Sequence, residues 1–295
     1  MTTDPIRHLP LASALSVTIA LLLGLFTSGT RAEPAKASSP ATARKEHFSF
    51  VQMCDTQLGI GGYEHDVRTF NLAVKQINAM EPDFVVICGD LVNKADKTSF
   101  ANFNEIRGKF TLPCYCAPGN HDVGNEPTLE SLKRYRETIG EDYYAVEHQG
   151  YTLVIANTQL WKAPVDGESE RHDAWFRETL EAAKAKASPV LVVVHYPLFV
   201  KDPEEPENYY NLPLEKRQEI LGLCEANGVV AFLAGHTHKQ ITNDYRGIQL
   251  VNGETTSKNF DQRPMGFRLW RVDREAGFRH EFVPLEGMAD EPLEE

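Results

Sequence analysis

From residue 46 onward, apolar runs and polar breaks alternate regularly enough to lay out the chain. Residues 47–54 (HFSFVQMC) read as a strand, and residues 64–80 as a helix with Phe70, Val74 and Ile77 on one face. Pro82-Asp83 breaks that helix, and residues 84–88 (FVVIC) form a short, wholly apolar strand. A second helix over 98–108, with Thr98 or Ser99 as cap, leads to the apolar run 112–117, which stops abruptly at Pro118-Gly119. Thr128 caps a third helix, 128–139, closed by Gly140. Residues 143–147 and 151–157 flank Gln149-Gly150 and read as a hairpin.

Farther on, a polar stretch (162–171) precedes a helix over 172–187, followed by the apolar strand 190–194. A charged, Pro-rich loop (201–211) leads to a helix over 213–226 and the buried strand 229–234. Short strands at 240–245, 248–251, 266–272 and 277–284 close the pattern. Strand–helix alternation followed by hairpins predicts one α/β domain, residues 46–284, with a largely parallel central sheet and added antiparallel strands. No internal repeat or domain-splitting linker interrupts it.

Composition matters most at the ends. Residues 9–26 are almost wholly apolar, set between Arg7-His8 and the small, polar run 27–32. Residues 1–32 therefore read as a secretory signal with cleavage after Ala32, an uncleaved membrane anchor being the alternative. Residues 33–45, rich in Pro, Ala, Ser and Lys, read as a linker. The domain is accordingly expected to be exported, periplasmic or secreted, free or tethered through its N-terminus, with no membrane span of its own. Residues 285–295 form an acidic tail that reads as disordered. The chain carries a formal charge of −12. That balance argues against a nucleic-acid-binding surface, which needs Lys and Arg on phosphates. Any phosphate handled here must be attracted by something else, and bound metal would supply the charge. Five cysteines, Cys54, Cys88, Cys114, Cys116 and Cys224, form no disulfide framework and read as small buried hydrophobes.

Polar clusters fall at the carboxyl ends of five predicted strands: Asp55/Gln57, Asp90/Asn93, Asn120/His121/Asp122, His195 and His236/His238. In open α/β sheets the ligand crevice lies at that end, so all five can converge. A single carboxylate or imidazole there is commonly a turn residue or a cap; five together are poorly explained by folding. Carboxylates, amides and imidazoles in this number exceed what one tetrahedral zinc needs and suit a pair of octahedral-leaning ions.

The ordered motifs D-x-Q, G-D-x-x-N, G-N-H-D, a lone strand-end His and G-H-T-H resemble those of the calcineurin-like metallophosphoesterases. The resemblance spans residues 48–272, and the N-Y-Y-N-L before the penultimate helix resembles the calcineurin-like phosphoesterase-domain proteins described as Ser/Thr phosphatases. It implies an α/β/β/α sandwich with the metal site at the carboxyl ends of the central strands. It further implies two divalent ions, Mn, Fe, Zn or Mg, with Mn favoured by Gln57, which stands where most members have His. Asp55, Gln57 and His238 would hold the first ion, Asp90 would bridge, and Asn120, His195 and His236 would complete the second. A hydroxide generated between the ions would attack the phosphoester, with His121 as the acid that protonates the leaving group. Asn93 would orient His121 in place of the carboxylate of the classical phosphoprotein phosphatases, and Asp122 would support the turn.

The function implied is a dinuclear phosphomonoesterase of Ser/Thr-phosphatase type, acting on a phosphoprotein or a small phosphoester. A phosphodiesterase for cyclic nucleotides or lipid head groups, and a non-catalytic scaffold, are the alternatives. His47, His65, His148, His172 and His280 lie outside the motifs and read as surface residues. Tyr209-Tyr210 is open between a substrate mouth and loop packing, and Asn157-Thr158-Gln159 is a weaker candidate strand end.

Overall fold

In a computed structural model describing residues 47–288, the single central sheet expected from the alternation is in fact two sheets. In chain order the elements begin with β1 (His47–Met53), α1 (Tyr63–Met80), β2 (Phe84–Cys88), α2 (Lys97–Arg107), β3 (Cys114–Ala117), α3 (Asn120–Val123) and α4 (Leu129–Thr138). They continue with β4 (Tyr144–His148), β5 (Tyr151–Ile155), α5 (Gln159–Lys162), α6 (Glu168–Ala185), β6 (Val190–Val193) and α7 (Leu214–Ala226). β7 (Val229–Ala234), β8 (Ile241–Tyr245), β9 (Ile248–Asn252), β10 (Gly266–Asp273) and β11 (Gly277–Pro284) complete the set. The first sheet has the order β11-β10-β1-β2-β3 and the second β4-β5-β6-β7-β9-β8. The first is parallel from β1 through β2 to its β3 edge and antiparallel at β10 and β11, and the second is parallel over β5-β6-β7-β9 and antiparallel at both edges.

The layering follows from the two faces of each strand. On β2, Phe84, Val86 and Cys88 face the second sheet, where they meet Leu153, Leu191 and Leu233. Val85 and Ile87 face outward and are covered by Phe70, Val74 and Ile77 of α1 and Phe100 and Phe103 of α2. On the far side, α6 and α7 lay Phe176, Leu180, Ile220 and Leu221 over Val192 and Phe232. The result is the α/β/β/α sandwich. Strands covered on both faces read as unbroken apolar runs, so period-2 patterning carries no sign of which sheet they join. Phe50 stacks on Phe84 and on Trp270 at centroid separations of 4.9 and 5.6 Å, which ties three strands of the first sheet together.

Most boundaries fall within a residue or two of expectation, with three corrections. The N-cap of α2 is Asp96, whose carboxylate accepts from Ser99 N at 2.8 Å, and neither Thr98 nor Ser99 caps it. The sixth helix starts at Glu168 rather than 172, because Glu168 and Ser169 are buried by Arg136 and by the Leu160 carbonyl. The tail packs at its start: Leu285 is buried and its N–H donates to Met265 O at 2.9 Å. The leader (1–32), the linker (33–45) and residues 289–295 lie outside the described residues. No helix among the described residues is long and apolar enough to cross a membrane.

Candidate metal centre

The strand ends do converge. From the first sheet, the loops after β1 and β2 are zipped by main-chain bonds, Asp55 N to Gly89 O (3.2 Å) and Gln57 N to Asp90 O (2.8 Å). The loop after β3 is fastened to them by Asp122. Its buried carboxylate accepts from Leu91 N (3.0 Å), Val92 N (3.2 Å) and Gly119 N (2.8 Å). The G-N-H-D segment, expected as a turn, is a turn of helix, α3, that begins at Asn120. His121 donates its main-chain N–H to Asp90 Oδ1 at 2.8 Å.

The second sheet supplies imidazoles, and each one spends a single nitrogen on a main-chain carbonyl. His195 Nδ1 meets Cys88 O at 2.9 Å, His236 Nε2 meets Tyr209 O at 3.0 Å, and His238 Nδ1 meets Lys258 O at 2.6 Å. Those contacts put the proton on the outer nitrogen and leave the other lone pair for the interior. His195 Nε2 lies 3.3 Å from Asp90 Oδ2, 3.0 Å from Asn120 Oδ1 and 3.2 Å from His236 Nδ1. His238 Nε2 lies 3.4 Å from Asp55 Oδ1. Asp90, His195 and His236 bring ligand atoms within 4.8 Å of one another.

Several features fit a divalent cation. Gln57 Oε1 is buried without a hydrogen-bond partner, an acceptor left for something outside the protein's own groups. Burial by itself would raise the Asp90 carboxyl, but facing His195, His121 and His236 hold it well below the usual carboxylate range. Burial would lower His195, and Asp90 instead pushes it up to about 9. Burial and neighbouring His195 take His236 down to about 3. His238, also opposed by burial, is raised by Asp55. Carboxylates and imidazoles crowded out of water in this way share a demand for positive charge that a cation between them meets.

Strain concentrates here too. Of the ten non-glycine residues with positive φ among the described residues, five are Asp55, Gln57, Asp90, His236 and His238. Two motif glycines are demanded by close approach. A Cβ on Gly119 would stand 2.1 Å from Asp90 Oδ1, and one on Gly235 would stand 2.6 Å from Asp55 Oδ2.

Two sequence expectations need correction. Asn93 orients His121, but through its main-chain carbonyl, 2.9 Å from His121 Nδ1. Its side chain turns instead toward Gln57 Nε2 (3.5 Å) and Gly59 O (3.4 Å). His172 is not on the surface. It is fully buried, accepts from Asn157 N through Nε2 at 3.1 Å, and burial takes it down to about 3. The cysteines are free; Cys114 alone is not fully buried. Asn157, Thr158 and Gln159 bind Asp142, Tyr196 N and Gly124 O, so they brace neighbouring loops.

The loop after β9 was missed by sequence reading. Ser257 Oγ donates to Asp55 O at 2.8 Å, Lys258 O holds His238, and Phe260 stacks on the His238 ring at 4.4 Å. Its sequence, N-G-E-T-T-S-K-N-F, has no ligand spacing; only the burial of Glu254, Thr255, Thr256 and Ser257 marks it. Tyr209 reaches the site from the loop before α7, its ring 4.8 Å from that of His236.

A sandwich with carboxylates, amides and imidazoles gathered where its two sheets meet is the architecture of a metallophosphoesterase. The calcineurin-like phosphoesterase family model matches residues 48–240, and the chain belongs to that family. It is a phosphoester hydrolase dependent on divalent metal, a phosphatase by class. Among its curated relatives, serine/threonine-protein phosphatase CPPED1 of Danio rerio is 28% identical over 273 residues, which cover 84% of this chain and 88% of that protein. The 3′,5′-cyclic adenosine monophosphate phosphodiesterase CpdA of Haemophilus influenzae is 24% identical over 201 residues, 65% and 68% of the two chains. A dimetal phosphatase from Danio rerio shares the fold with a TM-score of 0.56 at 17% identity, over 81% of this chain and 99% of its own.

Proposed function

We propose that the protein is a dinuclear phosphomonoesterase, with Asp55, Gln57 and His238 at one ion, Asn120, His195 and His236 at the other, and Asp90 shared. The observation that carries this reading is the division of labour around Asp90. Its Oδ2 faces His195, while its Oδ1 takes the His121 N–H, so one carboxylate joins the ligand set to the proton donor. Bound divalent ions would supply a nucleophile from water at neutral pH and a clamp for the phosphoryl oxygens. His121, its Nδ1 engaged by Asn93 O, presents Nε2 to the leaving oxygen and delivers the proton there. Asp122 ties the loop after β3 to the loop after β2, which holds the helical turn that carries Asn120 and His121 in place. The amide oxygen of Gln57, a harder donor than imidazole, favours Mn²⁺.

The CPPED1 relative supports a Ser/Thr-phosphatase-like monoesterase, and the CpdA relative supports a diesterase as the second reading. A Mn²⁺-supplemented panel of nitrophenyl phosphate, bis-nitrophenyl phosphate and a phosphothreonine peptide separates them, with Asp90→Asn as control. Turnover confined to monoesters and lost in the variant is expected; diester preference overturns the monoesterase. Export is a further proposal, motivated by the apolar run 9–26. Its check is the N-terminal residue of the protein purified from its host: an intact Met1 in the cytosolic fraction rules export out.

A further inference from the structure

Six large apolar side chains are exposed among the described residues: Tyr63, Leu129, Tyr209, Tyr210, Leu214 and Phe260. Three of the four aromatic ones lie against imidazoles of the metal centre. Tyr209 and Tyr210 lie 4.8 and 5.8 Å from the His236 ring and meet each other edge to face at 5.2 Å. Phe260 lies flat on His238, with the planes 9° apart. Tyr63 stands against the Gly59 turn beside Asn93, the residue that holds His121. Scattered exposed apolar residues need no explanation, but a set gathered on one rim marks a binding surface.

These rings are not needed to fix the imidazoles. His236 is held by the main-chain carbonyl of Tyr209 and His238 by that of Lys258, bonds to which the aromatic rings contribute no atom. Half of the Tyr209 ring stays in solvent (51% exposed), as does nearly half of Phe260 (48%). Tyr209 Oη accepts from Asn120 Nδ2 at 3.4 Å, which holds the half-exposed ring beside the ligand set. Part-exposed aromatic rings against both His236 and His238 suit a flat ring on the part of the substrate that leaves.

We propose that Tyr209, Tyr210 and Phe260 form an aromatic subsite selecting phosphomonoesters whose leaving group carries a flat aromatic ring, as a nucleoside does. The proposal rests on the monoesterase reading above and specifies its substrate class. Stacked rings lower the free energy of the bound leaving group while the phosphoryl group sits among the ligands. Ring–ring contacts of this kind favour the ring-bearing substrate by roughly tenfold.

The test compares adenosine 5′-monophosphate with ribose 5-phosphate, which lose the same primary alkoxide and differ only in the base. The expected result is a kcat/KM about tenfold higher for the nucleotide. Tyr209→Ala combined with Phe260→Ala should bring the ratio near one, with metal content unchanged, while Tyr209→Phe should keep it. Equal kcat/KM for the two substrates in the unaltered protein, or a preference untouched by the double replacement, overturns the subsite and leaves the monoesterase standing. Equal loss on both substrates also overturns it, assigning the rings to packing. If neither substrate nor nitrophenyl phosphate is turned over, the monoesterase reading fails. The subsite is then decided by equilibrium binding, where tighter binding of the nucleotide supports it and equal affinity refutes it. A phosphoserine peptide hydrolysed faster than the nucleotide counts against it as well.

Discussion

The two sheets contribute different halves of the site. Loops of the first sheet supply oxygen: Asp55, Gln57, Asp90 and Asn120, with His121 the only imidazole. Loops of the second sheet supply nitrogen: His195, His236 and His238. The halves are also stiffened differently. On the oxygen side, Asp122 gathers three main-chain N–H groups and fixes the loops to one another. On the nitrogen side, each ring is fixed singly by one carbonyl. The oxygen half is therefore cooperative, and a fault in one loop passes to the next. The nitrogen half is looser: His238 stands apart, and only His195 and His236 meet, Nε2 to Nδ1 at 3.2 Å.

Between them runs a seam of buried polar groups. Gln52 on β1 donates to Ala234 O (3.2 Å) and Val251 O (3.0 Å) of the second sheet, and Trp270 Nε1 donates back to Gln52 Oε1 at 3.0 Å. An apolar core can slide by a fraction of a residue, but directional bonds inside it set one register. That register brings Asp90 to His195 and Asp55 to His238.

Breaking the bridge between halves should have the largest effect. Asp90 meets His195 with one oxygen and His121 with the other. Asp90→Asn should lower kcat by about 10⁴-fold or more, the scale seen when a member of an interdependent catalytic unit is lost. Metal analysis should show less than full loading. A variant that keeps both ions and most of its activity would mean the halves are not joined through this residue.

His121 tests the oxygen half's one imidazole. His121→Ala should cost roughly 10²–10⁴-fold on an alkyl phosphomonoester, whose leaving group needs a proton, and much less on nitrophenyl phosphate. Ion content should not change, because His121 is spent on Asn93 O and the space above the site. Equal losses on both substrates would remove the proton-donor role.

Cooperativity of the oxygen half is checked at Asp122, which touches no candidate ligand side chain. Asp122→Asn puts an amide N–H against donors that now meet a carboxylate, and should weaken metal binding by about 10–100-fold. Disrupting the Lys258 carbonyl hold on His238 should perturb that ring alone. Metal titration monitored on both ions tells them apart, since only Asp122→Asn should weaken the two together.

The legible part of this molecule was its chemistry. The convergence of Asp55, Gln57, Asp90, Asn120, His195, His236 and His238 could be read because parallel strands must end on one side of a sheet, and polar residues at those ends have few folding reasons to be there. The sheets' separation was legible only through the family resemblance and not from patterning, because strands such as Phe84–Cys88 are apolar on both faces. Nor was the Asn93 main-chain contact, since a side chain's identity carries no information about its own carbonyl. His172 looked like a polar helix residue. Its burial comes from tertiary packing, with Tyr143 and Trp161 rings at 4.9 and 5.0 Å, which no local pattern anticipates.

The smallest change, and the sharpest test of the difference in donors, is at Gln57. Its Nε2 is turned to Asn93 and its Oε1 is left unsatisfied in a buried site, so it offers one neutral oxygen where an imidazole would offer a stronger donor. The ion beside Asp55 and His238 should therefore leave first when chelator is added, in a two-step release. Gln57→His replaces oxygen by nitrogen in the oxygen half and should tighten that ion by about tenfold, merging the two steps. It should also shift metal preference toward Zn²⁺, since nitrogen-rich sites favour the softer ion. If the ions of the unaltered protein leave together and Gln57→His changes neither step, the lability does not originate at Gln57, and the contrast between halves lies in how their ligands are held rather than in which atoms they present.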